Sequence, residues 1–573
     1  MNEVKKLYKL WLEKTDENKE VYDELLSIKG KDEEILDRFY RNLEFGTAGL
    51  RGVLGAGTNR MNVYTVNQAT QGLADYINSE FTNPSVAIAF DSRINSDVFS
   101  KEAAQVFAAN GIKVYIYREL VPTPMLSFAV RELKCSSGII VTASHNPAKY
   151  NGYKCYDPEG YQMTDEAAKK AYDFISKVDI FGSVKKVDFY EAVKSGRIEY
   201  IPEEIIEKFY SKVLEQQINP GICQKSDLKV IFTPLNGAGN KPVRNVLEKI
   251  GLENVSVVPE QEMPDGNFPT CPYPNPEIRQ AFEYALKMTE KEKADILLAT
   301  DPDCDRVGIA VYEKGEYELL SGNEVGVLLA QYILSSKKAD GTMPENPVLL
   351  KSFVTTSLVT EVAKKYGCEV VNLLTGFKYI GEFITNFEKK GEADRFIIGM
   401  EESYGYLSGI HARDKDAVVA SMLICEMAAY YKKQGKTLVD VISDVYNEYG
   451  YYLNSVLNFA FEGASGMKKM KDIMQTLREN APCEIAGEKV LSVSDYYKSV
   501  TIDTQNGKET AIHLPSSNVL EYKLPRGSKV IVRPSGTEPK IKAYISAVAE
   551  NKEEAVAIAE AMGSDMKKIM GLS

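Results

Sequence analysis

Short, nearly continuous apolar runs that stop abruptly at polar loops constrain this chain more than any other feature. Residues 85–90 (SVAIAF), 137–142 (SGIIVT), 228–234, 295–299 (DILLA), 348–352 and 395–399 (RFIIG) are such runs. Further strands are expected at 113–117, 255–258 and 369–374, and helices at 97–110, 241–250, 276–293, 357–366 and 378–389. Strands apolar on both faces, joined by crossover helices, belong to parallel sheets covered on both sides. Three α/β units in series result, an order suggestive of an internal structural repeat. Beyond residue 450 the pattern changes to short strands at 500–502, 519–523, 529–533 and 542–546, closed by a long helix at 552–570. The expected domains are 1–205, 206–320, 321–450 and 451–573. The first three are α/β with mixed parallel sheets, and the last is α+β.

Composition narrows the function classes. The 573 residues, at about 100–200 per domain, suit several domains and a core large enough to need no disulfide or metal staple. A net charge of -12 argues against nucleic acid or an anionic membrane as the main partner. The longest apolar stretch, 417–431, is broken by Glu426, so no transmembrane helix is expected. The first twenty residues are charged throughout and lack the apolar core of a signal peptide. The eight cysteines include no CxxC pair, which disfavours a zinc site and a disulfide framework and suits reduced thiols in the cytoplasm.

The polar loops after the strands carry the chemistry, because ligands in open α/β sheets sit beyond the carboxyl ends of the strands. Asp301, Asp303 and Asp305 alternate on one tight loop, and three such carboxylates can converge on a hard cation: Mg²⁺, Ca²⁺ or Mn²⁺. An EF-hand is excluded, since Arg306 and Tyr312 stand where it needs Gly and Glu. The alternative, a solvated acidic turn, places three uncompensated carboxylates between buried strands. Arg306 can bind an anion beside the metal. Ser144 and His145 lie in the loop after 137–142. They match no nucleophile elbow, and an adjacent Ser-His pair cannot by itself form a hydrolase triad, so a capping serine is the competing reading. Residues 151–154 return Lys154 toward that loop. The segment 533–539 (RPSGTEP) has the makings of a phosphate cradle, or of a simple turn between strands. The glycine-rich 45–52 (FGTAGLRG) lacks the spacing of an ATP P-loop.

Together, and in this order, FGTAGLRG, TASHNP, DPDCDR, MEESYG and RPSGTEPK resemble the five signature loops of the α-D-phosphohexomutase superfamily, over nearly the whole chain. The resemblance implies four domains around a central cleft and interconversion of glucose 1-phosphate and glucose 6-phosphate. It makes Ser144 the phosphorylated serine, whose phosphate would join Asp301, Asp303 and Asp305 in holding one Mg²⁺. Arg51, His145, Lys154 and Arg306 would surround the transferring group, with His145 and Lys154 as acid–base candidates. Glu401 and Ser403 would bind sugar hydroxyls, beside Thr375, Gly376 and Lys378. Lys415 and the loop Arg533, Ser535, Gly536 and Thr537 would contact phosphate. Glucose 1,6-bisphosphate would be intermediate and activator; the implied partners are small sugar phosphates, with no obligate protein partner. Gly405 stands where the branch acting on both glucose and mannose phosphates has His, and the loop forms are most similar to the branch containing phosphoglucomutases and phosphopentomutases. Phosphopentomutase or phosphomannomutase activity is the near alternative. A sugar-phosphate phosphatase and a non-catalytic binding protein are the alternatives from other classes. The retained 533–537 loop disfavours the phosphatase, and the intact Ser144 and aspartates disfavour the binding protein.

Overall fold

The computed structural model describes residues 2–46, 49–461, 463–535 and 540–572. The chain forms two compact units. The first comprises Met1–Gly322, Phe377–Gly399 and Ser403–Thr437, and the second Asn323–Gly376, Met400–Glu402 and Leu438–Ser573.

The first unit opens with three helices, Asn2–Lys14, Lys19–Ser27 and Asp32–Phe39. Their apolar faces meet in a small core around Trp11, Leu25 and Phe39. A seven-stranded sheet follows, in the order Phe45–Gly46, Gly49–Val53, Tyr150–Tyr156, Ser137–Val141, Ser85–Phe90, Lys113–Ile116 and Ile198–Tyr200. Its last four strands are parallel, as the continuous apolar runs predict. Helices Val63–Glu80 and Ser96–Ala109 contribute buried side chains to the same core. A five-stranded sheet runs Glu316–Leu320, Val307–Glu313, Ile296–Thr300, Val230–Thr233 and Val255–Val257, with the last three parallel.

Both sheets depart from the purely parallel pattern at the same kind of place. Tyr150–Tyr156 pairs antiparallel with Ser137–Val141, and Val307–Glu313 antiparallel with Ile296–Thr300. The loops 142–149 and 301–306 are too short for a crossover, so the chain must turn straight back. Gly152 permits the first return, because a Cβ there would stand 2.5 Å from the Thr142 carbonyl oxygen. The expected helix over 276–293 is shorter. A 3₁₀ turn, Arg279–Phe282, precedes the helix Glu283–Thr289. The segment before it turns on Asn275, whose carbonyl accepts the Ile278 N–H.

The apolar segment around residue 420 is the helix Ala417–Lys432, buried almost throughout. Glu426 within it accepts the Ile218 and Asn219 N–H groups at 2.8 and 3.0 Å. Among the described residues no helix is long and apolar enough to cross a membrane.

In the second unit, Val348–Ser352 pairs parallel with Glu369–Leu373. An antiparallel seven-stranded sheet runs Tyr451–Ala460, Lys540–Ala549, Lys529–Pro534, Leu520–Lys523, Ser492–Asp495, Val500–Asp503 and Glu509–Ala511. The closing helix Lys552–Ile569 packs Met562 and Met566 onto it. This sheet-rich end is the expected α+β part.

Candidate active site

The two hairpin loops of the first unit meet. The Ser144 hydroxyl donates to Asp301 Oδ2 at 2.9 Å and lies 3.2 Å from His145 Nδ1. Ser144 is buried and has a φ of 52°, a left-handed backbone that disfavours any residue but glycine. Its N–H donates to Thr142 Oγ1 at 2.8 Å.

Asp301, Asp303 and Asp305 are all buried, and a ligand oxygen from each lies within 4.8 Å of the others. Other segments fix the loop. Asp301 Oδ1 accepts the Asp305 and Arg306 N–H groups at 3.1 and 3.0 Å. The Asp303 carbonyl accepts the Thr123 N–H at 2.9 Å, and the Pro302 carbonyl the Ala238 N–H at 2.8 Å. Lys154, expected to return toward the Ser144 loop, donates to Asp303 Oδ2 at 2.9 Å and lies 3.7 Å from Asp305. Lys415 reaches Asp305 at 3.0 Å and Asp414 at 3.1 Å.

The charges sort themselves. Burial, then the neighbouring carboxylates of Asp303 and Asp305, push the Asp301 pKa well up. Burial also acts against an ionised Asp303, but Lys154, the Asp301 hydrogen bond and Lys415 together outweigh it and hold that carboxyl below its ordinary range. Burial alone would lower the Lys154 pKa; Asp303 and Asp305 more than reverse this and keep it an ammonium. Burial, then the guanidiniums of Arg306 and Arg51, push His145 well down, so its imidazole is neutral. Its ring meets Tyr273 edge-on, with centroids 5.8 Å apart.

The donor set fits a hard divalent cation. All three ligands are carboxylates, and the buried atoms Asp303 Oδ1 and Asp305 Oδ1 have no hydrogen-bond partner. Oxygen-only donors of this kind suit Mg²⁺.

Arg306 is held by Glu277 at 2.6 Å, with its Nε 3.7 Å from Asp305. Arg51 is exposed on the strand Gly49–Val53. The Lys378 ammonium pairs with Asp165 at 2.7 Å. Gly405 explains how Lys415 fits: a Cβ there would come within 2.2 Å of Lys415 Cδ. The side-chain space at 405 is filled by the lysine stem instead.

In the second unit, buried Glu401 accepts the Gly376 N–H at 2.7 Å, and Thr375 Oγ1 beside it is buried without a partner. Glu402 accepts from Ser352 at 2.9 Å. The unit boundary falls inside MEESYG, so Ser403 belongs with the first unit. Arg533 is half-buried at the end of Lys529–Pro534. The flanking strands pair, Arg533 opposite Lys542, and the Ser535 N–H donates to the Lys540 carbonyl at 2.7 Å. Gly536 and Thr537, like Thr47 and Ala48, lie outside the described residues.

Sequence reasoning missed Asp91, Arg93, Thr123, Thr142, Glu277 and Asp414. The first two had a readable signal. They follow the apolar run 85–90 in the same way that the other polar loops follow theirs.

Family models for the α/β/α domains I, II and III of phosphoglucomutase/phosphomannomutase match residues 42–180, 207–315 and 321–449. The chain belongs to the phosphoglucomutase/phosphomannomutase family. It is 37% identical over 548 residues to a phosphoglucomutase of Staphylococcus saprophyticus, covering 95% of this chain and 97% of that one. A phosphoglucomutase of Staphylococcus haemolyticus is 35% identical over 518 residues, 90% of this chain and 92% of its own. In fold it is similar to the open form of the exocytosis-sensitive phosphoprotein parafusin, a phosphoglucomutase from Paramecium. That match has a TM-score of 0.67 at 17% identity, over 93% of this chain and 96% of that one.

Proposed function

We propose that this chain is a phosphoglucomutase that interconverts glucose 1-phosphate and glucose 6-phosphate through phosphorylated Ser144. The observation that carries the reading is the Ser144 hydroxyl, 2.9 Å from Asp301 at the head of a buried triple-carboxylate loop and 3.2 Å from a neutral His145, with a charged Lys154 paired to Asp303 of the same loop.

The serine Oγ–P bond breaks as a sugar hydroxyl oxygen forms its own bond to phosphorus, giving glucose 1,6-bisphosphate. The second half-reaction reverses this with the other phosphate, so phosphoserine is regenerated. The hydroxyl proton needs an acceptor and the departing oxygen a donor. A neutral imidazole can accept, and an ammonium can donate. Mg²⁺ held by Asp301, Asp303 and Asp305, when bound, neutralises charge on the transferring group. Arg51, Arg306 and Lys415 add cationic groups around it. Glu401, Ser403, Thr375, Gly376 and Lys378 are assigned to the sugar, and Arg533, Ser535, Gly536 and Thr537 to the phosphate that is not reacting. The domains 1–205, 206–320, 321–450 and 451–573 then supply phosphoserine, metal, sugar and phosphate loops in turn. Free cysteines suit a cytoplasmic setting.

Incubation with glucose 1-phosphate, followed by phosphorus NMR and intact-mass peptide mapping, tests the proposal. Glucose 6-phosphate and phosphate on Ser144 are expected, and Ser144→Ala should abolish turnover while retaining the wild-type melt. Release of inorganic phosphate would make the protein a phosphatase, and the absence of any turnover a binding protein. Faster conversion of mannose or pentose 1-phosphates in a parallel panel would overturn the glucose assignment.

A further inference from the structure

Ser144 is the nucleophile of the proposed reaction and also sits in a backbone conformation that something must hold. Its N–H is held by Thr142 Oγ1 at 2.8 Å. Its carbonyl accepts from Arg93 Nη2 at 2.6 Å. The same Nη2 donates to the Asn146 carbonyl, and Nη1 donates to the Pro147 and Tyr150 carbonyls at 3.1 and 3.0 Å. One buried guanidinium therefore gathers four carbonyls, three of the loop 142–149 and that of Tyr150, where the returning strand begins.

Arg93 is itself fixed. It is 2% exposed, under the ring of Phe268 at 5.1 Å, with Nε 3.5 Å from Asp91 Oδ2. Asp91 Oδ1 accepts the Arg93 N–H at 2.9 Å and the Ser96 hydroxyl at 2.8 Å. Across from it, Gly266 packs so closely that a Cβ would stand 2.4 Å from the Ile94 nitrogen. A planar guanidinium presents several N–H donors in a rigid fork, whereas a lysine ammonium is a compact point charge on a flexible stem.

We propose that Arg93 is a positioning residue that holds the nucleophile loop, 142–150, in the one conformation from which Ser144 exchanges a phosphoryl group. Thr142 completes the clamp from the other side of the same residue. The inference rests on the reading of Ser144 as the phosphorylated serine. Among the described residues the Arg93 side chain donates its hydrogen bonds to backbone carbonyls of 144–150, so its effect on the reaction is transmitted through backbone placement. Phosphoryl transfer is mostly positioning, and displacement of a reacting group by about 1 Å costs on the order of a hundredfold in rate.

The test follows formation of phosphoserine by rapid quench and intact mass after mixing dephosphorylated enzyme with glucose 1,6-bisphosphate. It compares wild type, Arg93→Lys and Thr142→Val, and measures KM for glucose 1-phosphate and the thermal melt in parallel. Both variants should fold and keep the wild-type KM while phosphorylating Ser144 about tenfold or more slowly. A folded Arg93→Lys protein that is phosphorylated at the wild-type rate overturns the inference. So does a raised KM with an unchanged rate. Should Arg93→Lys fail to fold, a folded Thr142→Val protein at the wild-type rate overturns it equally. Wild-type enzyme with no phosphate on Ser144 removes the functional reading, and the inference with it. Phosphorylated wild type with unaltered variants removes the inference alone.

Discussion

Three buried carboxylates on one short loop would repel one another, and each residue's surroundings decide how that conflict is met. Asp303 faces Lys154 and is held as an anion, while Asp301 faces the Ser144 hydroxyl and two backbone N–H groups with its pKa pushed up. The loop is thus arranged for a ligand more than for stability, a common compromise at active sites. Asp303→Asn tests this. It removes one negative ligand yet keeps an oxygen to accept from Thr123, whose hydroxyl lies 3.0 Å away. It also relieves repulsion with Asp301 and Asp305, which offsets the lost partner of Lys154. Turnover should fall by about a hundredfold or more, and the Mg²⁺ dependence should shift, while the melting temperature changes little. Wild-type turnover with unchanged Mg²⁺ dependence would rule the metal assignment out.

At the scale of elements, the short strand Gly405–Leu407 makes room for a lysine supplied by a later loop. The Gly405 backbone lies against the stem of Lys415, whose ammonium reaches Asp305. Gly405→Ala leaves the backbone conformation permitted but puts a methyl group where Lys415 Cδ now lies. Overpacking of this kind costs about 1–3 kcal/mol. A denaturant titration should show a loss in that range, and kinetics a drop in kcat/KM of about tenfold, one charged contact's worth. Unchanged kinetics would mean that the Lys415–Asp305 pair is dispensable. The loops on either side of these strands were legible in the sequence because a buried strand ending in Asp, Ser or Arg has no purely structural need for them. The antiparallel pairing of the returning strands at 150 and 307 was not, since apolar periodicity looks the same for parallel and antiparallel neighbours. Nor was the engagement of Lys378 with Asp165, a pairing between residues distant in the chain. The room for Lys415 at Gly405 was equally invisible, because a glycine in sequence does not announce what fills its space.

At the scale of the whole molecule, a mutase must bind its substrate in two orientations, because substrate and product carry phosphate at opposite ends of the sugar. One loop holding whichever phosphate is not reacting meets that requirement with a single set of donors. Arg533 is suited to the part. It stands at the end of a strand locked by pairing on both sides. Losing it removes a charge-assisted, bidentate-capable contact worth about 1.5–3 kcal/mol per hydrogen bond. At 1.4 kcal/mol per factor of ten, Arg533→Ala should lower kcat/KM by about tenfold to several hundredfold. A shared anchor requires the loss in both directions, from glucose 1-phosphate and from glucose 6-phosphate, measured by coupled assays at the same Mg²⁺ concentration. Phosphoserine formation in the resting enzyme should survive, since the Ser144 cluster is built from other residues. A loss confined to one direction would make Arg533 specific to one orientation. If neither direction changed, the 533–539 segment would be a turn between strands and the anchor would have to be sought among the other cationic side chains.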